Sequence, residues 1–261
     1  MATSKGRRAI EVKRSAPDSP PLPFPDASGE EGDGTKTLAE LAYRRIRDLI
    51  IAGDLAPDEK LRIEYLRRAL DIGASPLREA LSRLSSHGIV EMEGQRGFRV
   101  APVSLPALWD ITETRLLLEG HALRRSIERG DDTWEASVVA AYHRLHRAEQ
   151  RRQAAFGDQA DAWESRDRDF HETLVAECGQ PLLLRLRRSL CDQHERYRRL
   201  TLMRLPAERD LAHEHRAIMD AALARNADEA CRLSDEHIMR TAMAIAAILA
   251  GQSPRSTPST A

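Results

Sequence analysis

From Ser104 to Ala250 the chain repeats one pattern: apolar residues at three- and four-residue spacing, broken only at Gly130-Asp131-Asp132, Gly157, Gly179-Gln180-Pro181, Leu205-Pro206 and Asn226. That spacing gathers each apolar set on one face of an α-helix, and Gly, Pro and Asn are the residues that stop helices. The breaks predict six helices, near 104–129, 133–155, 160–178, 181–204, 207–225 and 227–250. A helix with a single apolar stripe must bury it against others, so the stretch from 104 to 250 is expected to fold as an antiparallel, all-α bundle. The segments share no common period, which argues against a helical repeat array.

Ahead of the bundle the pattern differs. Residues 1–36 are rich in Pro, Gly and acidic side chains, and residues 251–261 in Ser, Thr and Pro; both are expected to be disordered tails. Residues 37–103 hold three short helical patterns followed by two extended runs. Leu38, Ala42, Ile46, Leu49 and Ile50 define a first helix of about fifteen residues that stops at Gly53. Ile63, Leu66 and Leu70 define a second, over about 62–70, with Gly73 after it. A third is expected to open at Ser75-Pro76, with the serine hydroxyl as cap, and to bury Leu77, Ala80, Leu81 and Leu84. Ile89–Met92 and Phe98–Ala101, joined by the Gly-bounded loop Glu93–Gly97, read as a hairpin. Three helices and a hairpin in this order predict a winged helix-turn-helix, so the whole chain is read as mostly α with two domains.

Composition limits what either domain can do. Forty Lys and Arg against 41 Asp and Glu leave a net charge of −1, so any nucleic-acid site must be local. Aromatic residues are only 4%, too few for a single-strand stacking platform. The longest apolar run, Thr241–Ala250, is about half of a membrane span, and the basic N-terminal residues precede no apolar signal core. A cytoplasmic protein without a membrane partner is expected. Cys178, Cys191 and Cys231 form no Cys-x-x-Cys pair and read as small core residues.

In a winged helix-turn-helix the third helix enters the major groove and the wing meets the backbone. Arg78 is the candidate for a guanine edge, which a guanidinium can contact with two hydrogen bonds; Ser75 is placed to meet a phosphate. Arg96 at the wing tip, beside Gly97, can approach the backbone closely. Taken singly, Arg78 and Arg96 would read as solvated charges; within the full pattern they read as DNA contacts. The run from Leu61 through Ser75-Pro76-Leu77-Arg78-Glu79-Ala80-Leu81-Ser82-Arg83-Leu84, with Gly88-Ile89-Val90 and Arg96-Gly97-Phe98-Arg99-Val100, resembles the GntR family of bacterial transcription regulators. It departs from that family at Gly73-Ala74, where Ser-Arg is usual.

The bundle carries polar residues on its apolar stripes. Arg115 sits among Leu108, Ile111, Leu118 and Ala122, with Glu119 one turn on. An inward guanidinium needs an anion, either Glu119 as a structural partner or the carboxylate of a bound ligand. Asp167 and His171, at i and i+4, lie on the stripe of Trp163, Phe170 and Leu174. His215 lies on the stripe of Leu211 and Ile218, and His237 on that of Leu233, Ala244 and Ile248. One inward histidine is usually a core residue; three with an aspartate, on three helices, point to a divalent metal site of a kind that suits zinc or nickel. Arg115-Leu116-Leu117-Leu118-Glu119, the Asp167–His171 turn, Glu214-His215 and His237 resemble the FCD effector domain of FadR-type GntR regulators. That resemblance implies that Asp167, His171, His215 and His237 hold a metal which helps bind a small carboxylate effector. The family's Asn after the His helix is Gln180 here. Phe98–Ser104, Trp109-Asp110, Glu113-Thr114-Arg115 and Gly130–Glu135 are most similar to CsiR-type regulators of glutarate and 2-hydroxyglutarate catabolism.

The expected protein is therefore a homodimeric repressor on double-stranded operator DNA, controlled by a small carboxylate, and not an enzyme. Two alternatives stay open at this stage. One is a metal-dependent enzyme using the His/Asp cluster, although neither an H-E-x-x-H nor a paired Glu-x-x-His pattern is present. The other is an effector-free DNA-binding protein in which the metal only staples the bundle.

Overall fold

The computed structural model describes residues 37–94, 97–154, 160–201 and 209–251, and the chain divides into two compact units, Met1–Pro102 and Val103–Ala261. The expected tails at 1–36 and 252–261 lie outside the described residues.

In the first unit, α1 (Leu38–Ala52) starts where the Thr37 hydroxyl accepts the Glu40 N–H at 3.2 Å. It ends at Gly53, whose φ of 88° is a conformation that a side chain disfavours. α2 (Ile63–Leu70) ends where the spacing placed its end, and Asp71, ahead of Gly73, takes the left-handed turn at φ 53°, which Asp tolerates better than most residues. α3 (Ala74–Ser86) is capped by Gly73 and not by Ser75, and the Leu77 N–H already bonds the Gly73 carbonyl. Ser75 and Pro76 fall inside the first turn, where backbone N–H groups lack helical partners anyway, so the proline forfeits nothing.

β2 (Val90–Met92) and β3 (Phe98–Val100) pair antiparallel, Val90 opposite Val100 and Met92 opposite Phe98. A further strand, β1 (Lys60–Leu61), adds to the other edge of β3 and gives the order β1-β3-β2. Two residues carry no period, which is why the sequence did not announce β1. Ile46, Ile50, Leu66, Leu77, Leu81, Leu84, Ile89 and Val100 make the core under these elements.

In the second unit, α4 (Leu105–Arg129) begins at Ser104, whose hydroxyl accepts the Ala107 N–H at 3.2 Å. α5 (Asp132–Ala154), α6 (Ala160–Leu174), α7 (Pro181–Thr201), α8 (Leu211–Leu223) and α9 (Ala227–Leu249) follow. α6 stops four residues short of the expected Cys178, and a 3₁₀ turn at Ala176–Cys178 replaces its last turn. Tertiary hydrogen bonds satisfy the freed backbone: the Trp134 indole donates to the Thr173 carbonyl at 3.0 Å, and the Ser126 hydroxyl accepts the Glu177 N–H at 3.0 Å. Gly179 then turns at φ 70°, where a Cβ would also stand about 2.9 Å from the Arg129 guanidinium.

α4 packs on α9 and α7, α5 on α6 and α8, and α8 on α9. Trp134, Val138, Leu145, Trp163, Phe170 and Ile218 centre the larger apolar cluster, and Leu108, Ile111, Tyr197 and Ile245 a smaller one. Among the described residues no helix is long and apolar enough to cross a membrane. Cys178 and Cys231 are buried, Cys191 is partly exposed, and all three are free thiols.

Candidate metal centre

Packing of α6, α8 and α9 brings together three imidazoles. One ligand atom from each of His171, His215 and His237 lies within 4.8 Å of the others, and all three residues are buried. Asp167, one turn before His171, points Oδ1 at the same place, 3.3 Å from His215 Nε2 and 3.9 Å from His171 Nε2. These atoms are close but not aligned for hydrogen bonds. His171 Nε2, His215 Nε2 and Asp167 Oδ1 are consequently buried without a hydrogen-bond partner, an arrangement that costs free energy unless something else meets them. The orphaned atoms and the donor set of three nitrogens and a carboxylate oxygen both fit a divalent first-row ion.

Outer groups fix how the donors face. Glu149 on α5 accepts from His215 Nδ1 at 2.7 Å, and Glu214 on α8 accepts from His237 Nδ1 at 2.8 Å. A carboxylate can only accept, so each Nδ1 carries a proton and leaves Nε2 as the atom turned to the cluster. Arg198 on α7 donates to Asp167 Oδ2 at 2.7 Å and also pairs with the buried Glu164. Oδ1 is thereby the oxygen left over.

The charges follow from these contacts. Burial holds His171 well below the usual imidazole range and His237 down to about 4, so both are neutral, as a metal ligand must be. Burial also opposes a charge on His215, but Asp167 and Glu149 outweigh it and raise its pKa to about 9. For Asp167, burial pushes upward while Arg198 and the imidazoles hold the carboxyl well below its usual range.

A cavity of about 40 Å³ adjoins the cluster, lined among others by Arg115, Asp167, His171, Arg187, His194 and His237. Arg115 from α4 is nearly buried, with 11% of its side chain exposed. Its candidate partner Glu119 is shared with another residue: Arg187 on α7 grips that carboxylate through two hydrogen bonds of 3.0 and 2.7 Å. Arg115 Nε stands 3.6 Å from Glu119 Oε2, an ion pair beyond hydrogen-bonding range, and its buried N–H has no hydrogen-bond partner. Arg115 Nη1 donates to His194 Nδ1 at 3.3 Å.

Sequence reasoning placed the α7 helix but assigned no site role to its residues or to Glu149, and His194 fell among the histidines read as surface or packing residues. The signal for α7 was there: Arg187, Cys191, His194 and Arg198 stand at i, i+4, i+7 and i+11, a polar stripe on one helix face. No comparable signal marks Glu149. His213 is exposed, as the opposite face of α8 requires.

In the first unit, Ser75 and Arg78 are exposed on α3 beside the buried Leu77 and Leu81. Gly97 precedes β3 with φ 147°, and Arg96 lies outside the described residues.

Known proteins resemble the chain over both units. Residues 38–100 match the bacterial regulatory proteins of the gntR family, and residues 110–240 match the FCD domain. The chain is 40% identical over 215 residues to the uncharacterized HTH-type transcriptional regulator BphR of Paraburkholderia xenovorans, spanning 82% of this chain and 88% of that one. With the HTH-type transcriptional repressor GlaR of Escherichia coli the identity is 36% over 213 residues, spanning 80% and 96%. The solved structure of E. coli McbR/YncC shares the fold, with a TM-score of 0.70 at 21% identity over 81% of this chain and 98% of that one.

Proposed function

Because the chain belongs to the GntR family of DNA-binding transcription regulators and carries the FCD domain, we propose that it is a homodimeric repressor released or held on its operator by a small dicarboxylate or hydroxy acid. Asp167, His171, His215 and His237 would hold a divalent ion, for which zinc and nickel suit the donor set. When bound, the ion supplies a Lewis-acidic charge to one carboxylate of the effector.

The other tasks fall to the chain's own side chains. Arg115 offers the effector an Nε–H that makes no hydrogen bond, while Arg187 takes the hydrogen bonds of Glu119 and leaves Arg115 only a longer ion pair with it. Arg198 holds Asp167 with one oxygen free. In the first unit α3 would enter the major groove with Arg78 on a base edge and Ser75 on a phosphate, while Gly97 and Arg96 would meet the backbone.

One observation carries the reading: Asp167 Oδ1, His171 Nε2 and Arg115 Nε are buried polar atoms without hydrogen-bond partners, and all three residues line the same cavity. Its volume of about 40 Å³ is room for a carboxylate head, given about 10–15 Å³ of such space per water. A longer acid must therefore move lining side chains, and a ligand that fits one arrangement better than another shifts the balance between them.

The test is fluorescence anisotropy of the purified protein on DNA from its own upstream region, at two salt concentrations, with C4 to C6 dicarboxylates and 2-hydroxyglutarate. Glutarate and 2-hydroxyglutarate come first because of the resemblance to regulators of their catabolism. Salt-sensitive, sequence-preferring binding shifted by about 5- to 150-fold by one acid is the expected result. DNA binding that no acid shifts would leave the metal as a structural staple.

A further inference from the structure

Four buried histidines surround the cavity and its metal-ligand cluster, and the partner of each Nδ1 decides what its Nε2 can do. His215 and His237 give Nδ1 to the carboxylates of Glu149 and Glu214, at 2.7 and 2.8 Å. Arg209 also approaches His237 Nδ1, but at the longer distance of 3.4 Å. A carboxylate can only accept, so Nδ1 of each ring is the donor and Nε2 is the atom turned toward the cluster.

His194 on α7 has the opposite partner. Its Nδ1 faces Arg115 Nη1 at 3.3 Å, and a guanidinium has no lone pair to offer. Nδ1 must accept, and the proton of the neutral ring must sit on Nε2. Burial, reinforced by the Arg115 charge, keeps the ring neutral by holding its pKa well below the usual range. The Nε2–H is thus a buried donor without a partner, on a residue that lines the cavity. Arg115 adds a second such donor through Nε.

The other guanidinium groups around the cavity are engaged. Arg187 is held by Glu119, Arg198 by Asp167 and Glu164, and Arg168 by Glu195. Taken with the effector reading above, on which it rests, we infer that His194 and Arg115 form a donor pair that binds a second acceptor group of the effector, apart from the carboxylate directed to the metal cluster. His194 is then a specificity-determining residue and not a fourth imidazole for the metal. The site selects acids that carry two acceptor groups, a dicarboxylate or a hydroxy acid, over simple monocarboxylates.

The experiment is calorimetric titration of the zinc-loaded full chain with glutarate and with pentanoate, which lacks the second carboxylate, for the wild type, His194→Phe and His194→Gln. Zinc content and thermal midpoint are measured alongside. In His194→Phe, zinc content is expected to stay at the wild-type level, glutarate affinity to fall by about 10- to 100-fold, as for a lost hydrogen bond to a charged group, and pentanoate affinity to change little. His194→Gln, which keeps an N–H donor, should recover part of the loss. If His194→Phe binds glutarate like the wild type, or favours it over pentanoate as strongly, the inference fails while the effector reading survives. Loss of zinc from a folded His194→Phe or His194→Gln would make His194 a ligand and also overturn it. Absence of binding by any acid to the wild type overturns the effector reading and this inference together.

Discussion

The two units differ most in what they bury. Among the described residues of the first unit, the buried side chains are apolar, including Ile46, Leu66, Leu77, Leu81 and Leu84, and no charged residue is buried ahead of Glu119. The second unit buries Glu119, Glu149, Glu164, Asp167, Arg187, Glu195 and Arg196 together with four histidines. An apolar interior serves to hold the surface of α3 in place, and Ser75 and Arg78, proposed to meet DNA, are exposed on it. A site for a small charged ligand has to be inside, where water does not compete, and its charges must be compensated by others of opposite sign. The second unit therefore gives up part of its packing stability for chemistry, and the first does not.

The largest expected effect tests that compensation. Arg187→Met strips the buried Glu119 carboxylate of its two hydrogen bonds, leaving only the longer ion pair with Arg115, and is expected to cost about 3–5 kcal/mol of stability in urea denaturation. Removing both charges with Glu119→Gln should recover much of it. Burial pushes Glu119 upward, yet Arg187 and Arg115 outweigh it and hold its pKa below the ordinary 4.5. The pair's contribution is thus present above about pH 4.5 and fades as the pH falls through the depressed value. A cost under about 1 kcal/mol, typical of an exposed ion pair, would erase the contrast between the units.

Next in size is the outer support of the metal site. Glu149→Gln removes the carboxylate that orients His215 and is expected to weaken zinc binding by about 10- to 100-fold in chelator competition, with the fold kept. Unchanged affinity would mean that packing alone orients the ring.

The smallest effects on stability belong to the outside of the first unit. Arg78→Ala should cost about 1–3 kcal/mol of specific DNA affinity, with stability changed by no more than about 0.5 kcal/mol. Ser75→Ala should likewise alter stability by less than about 0.5 kcal/mol, whereas a capping serine would cost about 0.5–2 kcal/mol. A larger drop would restore Ser75 as the cap in place of Gly73.

Much of the fold was legible because helix signals are local. Thr37, Ser104 and Asn226 each cap the helix that the spacing places after them. The errors fall where long-range contacts overrule local preference: α6 gives way to a 3₁₀ turn that Trp134 and Ser126 tie down, and β1 exists only because β3 is beside it. The site divides in the same way. Asp167, His171, His215 and His237 could each be picked out as a polar residue on its own helix's apolar stripe. Glu149 could not, since only the packing of α5 on α8 tells it from any other glutamate of a charged helix.

By itself the sequence determined which residues turn inward, because a 3.6-residue period ties side-chain direction to spacing within a helix. Only the tertiary structure decided what each inward residue meets. Arg115 and Arg187 are both inward arginines with Glu119 in reach, and the register of α7 against α4 gives the carboxylate to Arg187. His194 and His215 are both inward histidines, and one faces a guanidinium while the other faces a carboxylate. A hydrogen bond is set by distance and angle between atoms far apart in the chain, and no periodicity within one helix encodes either.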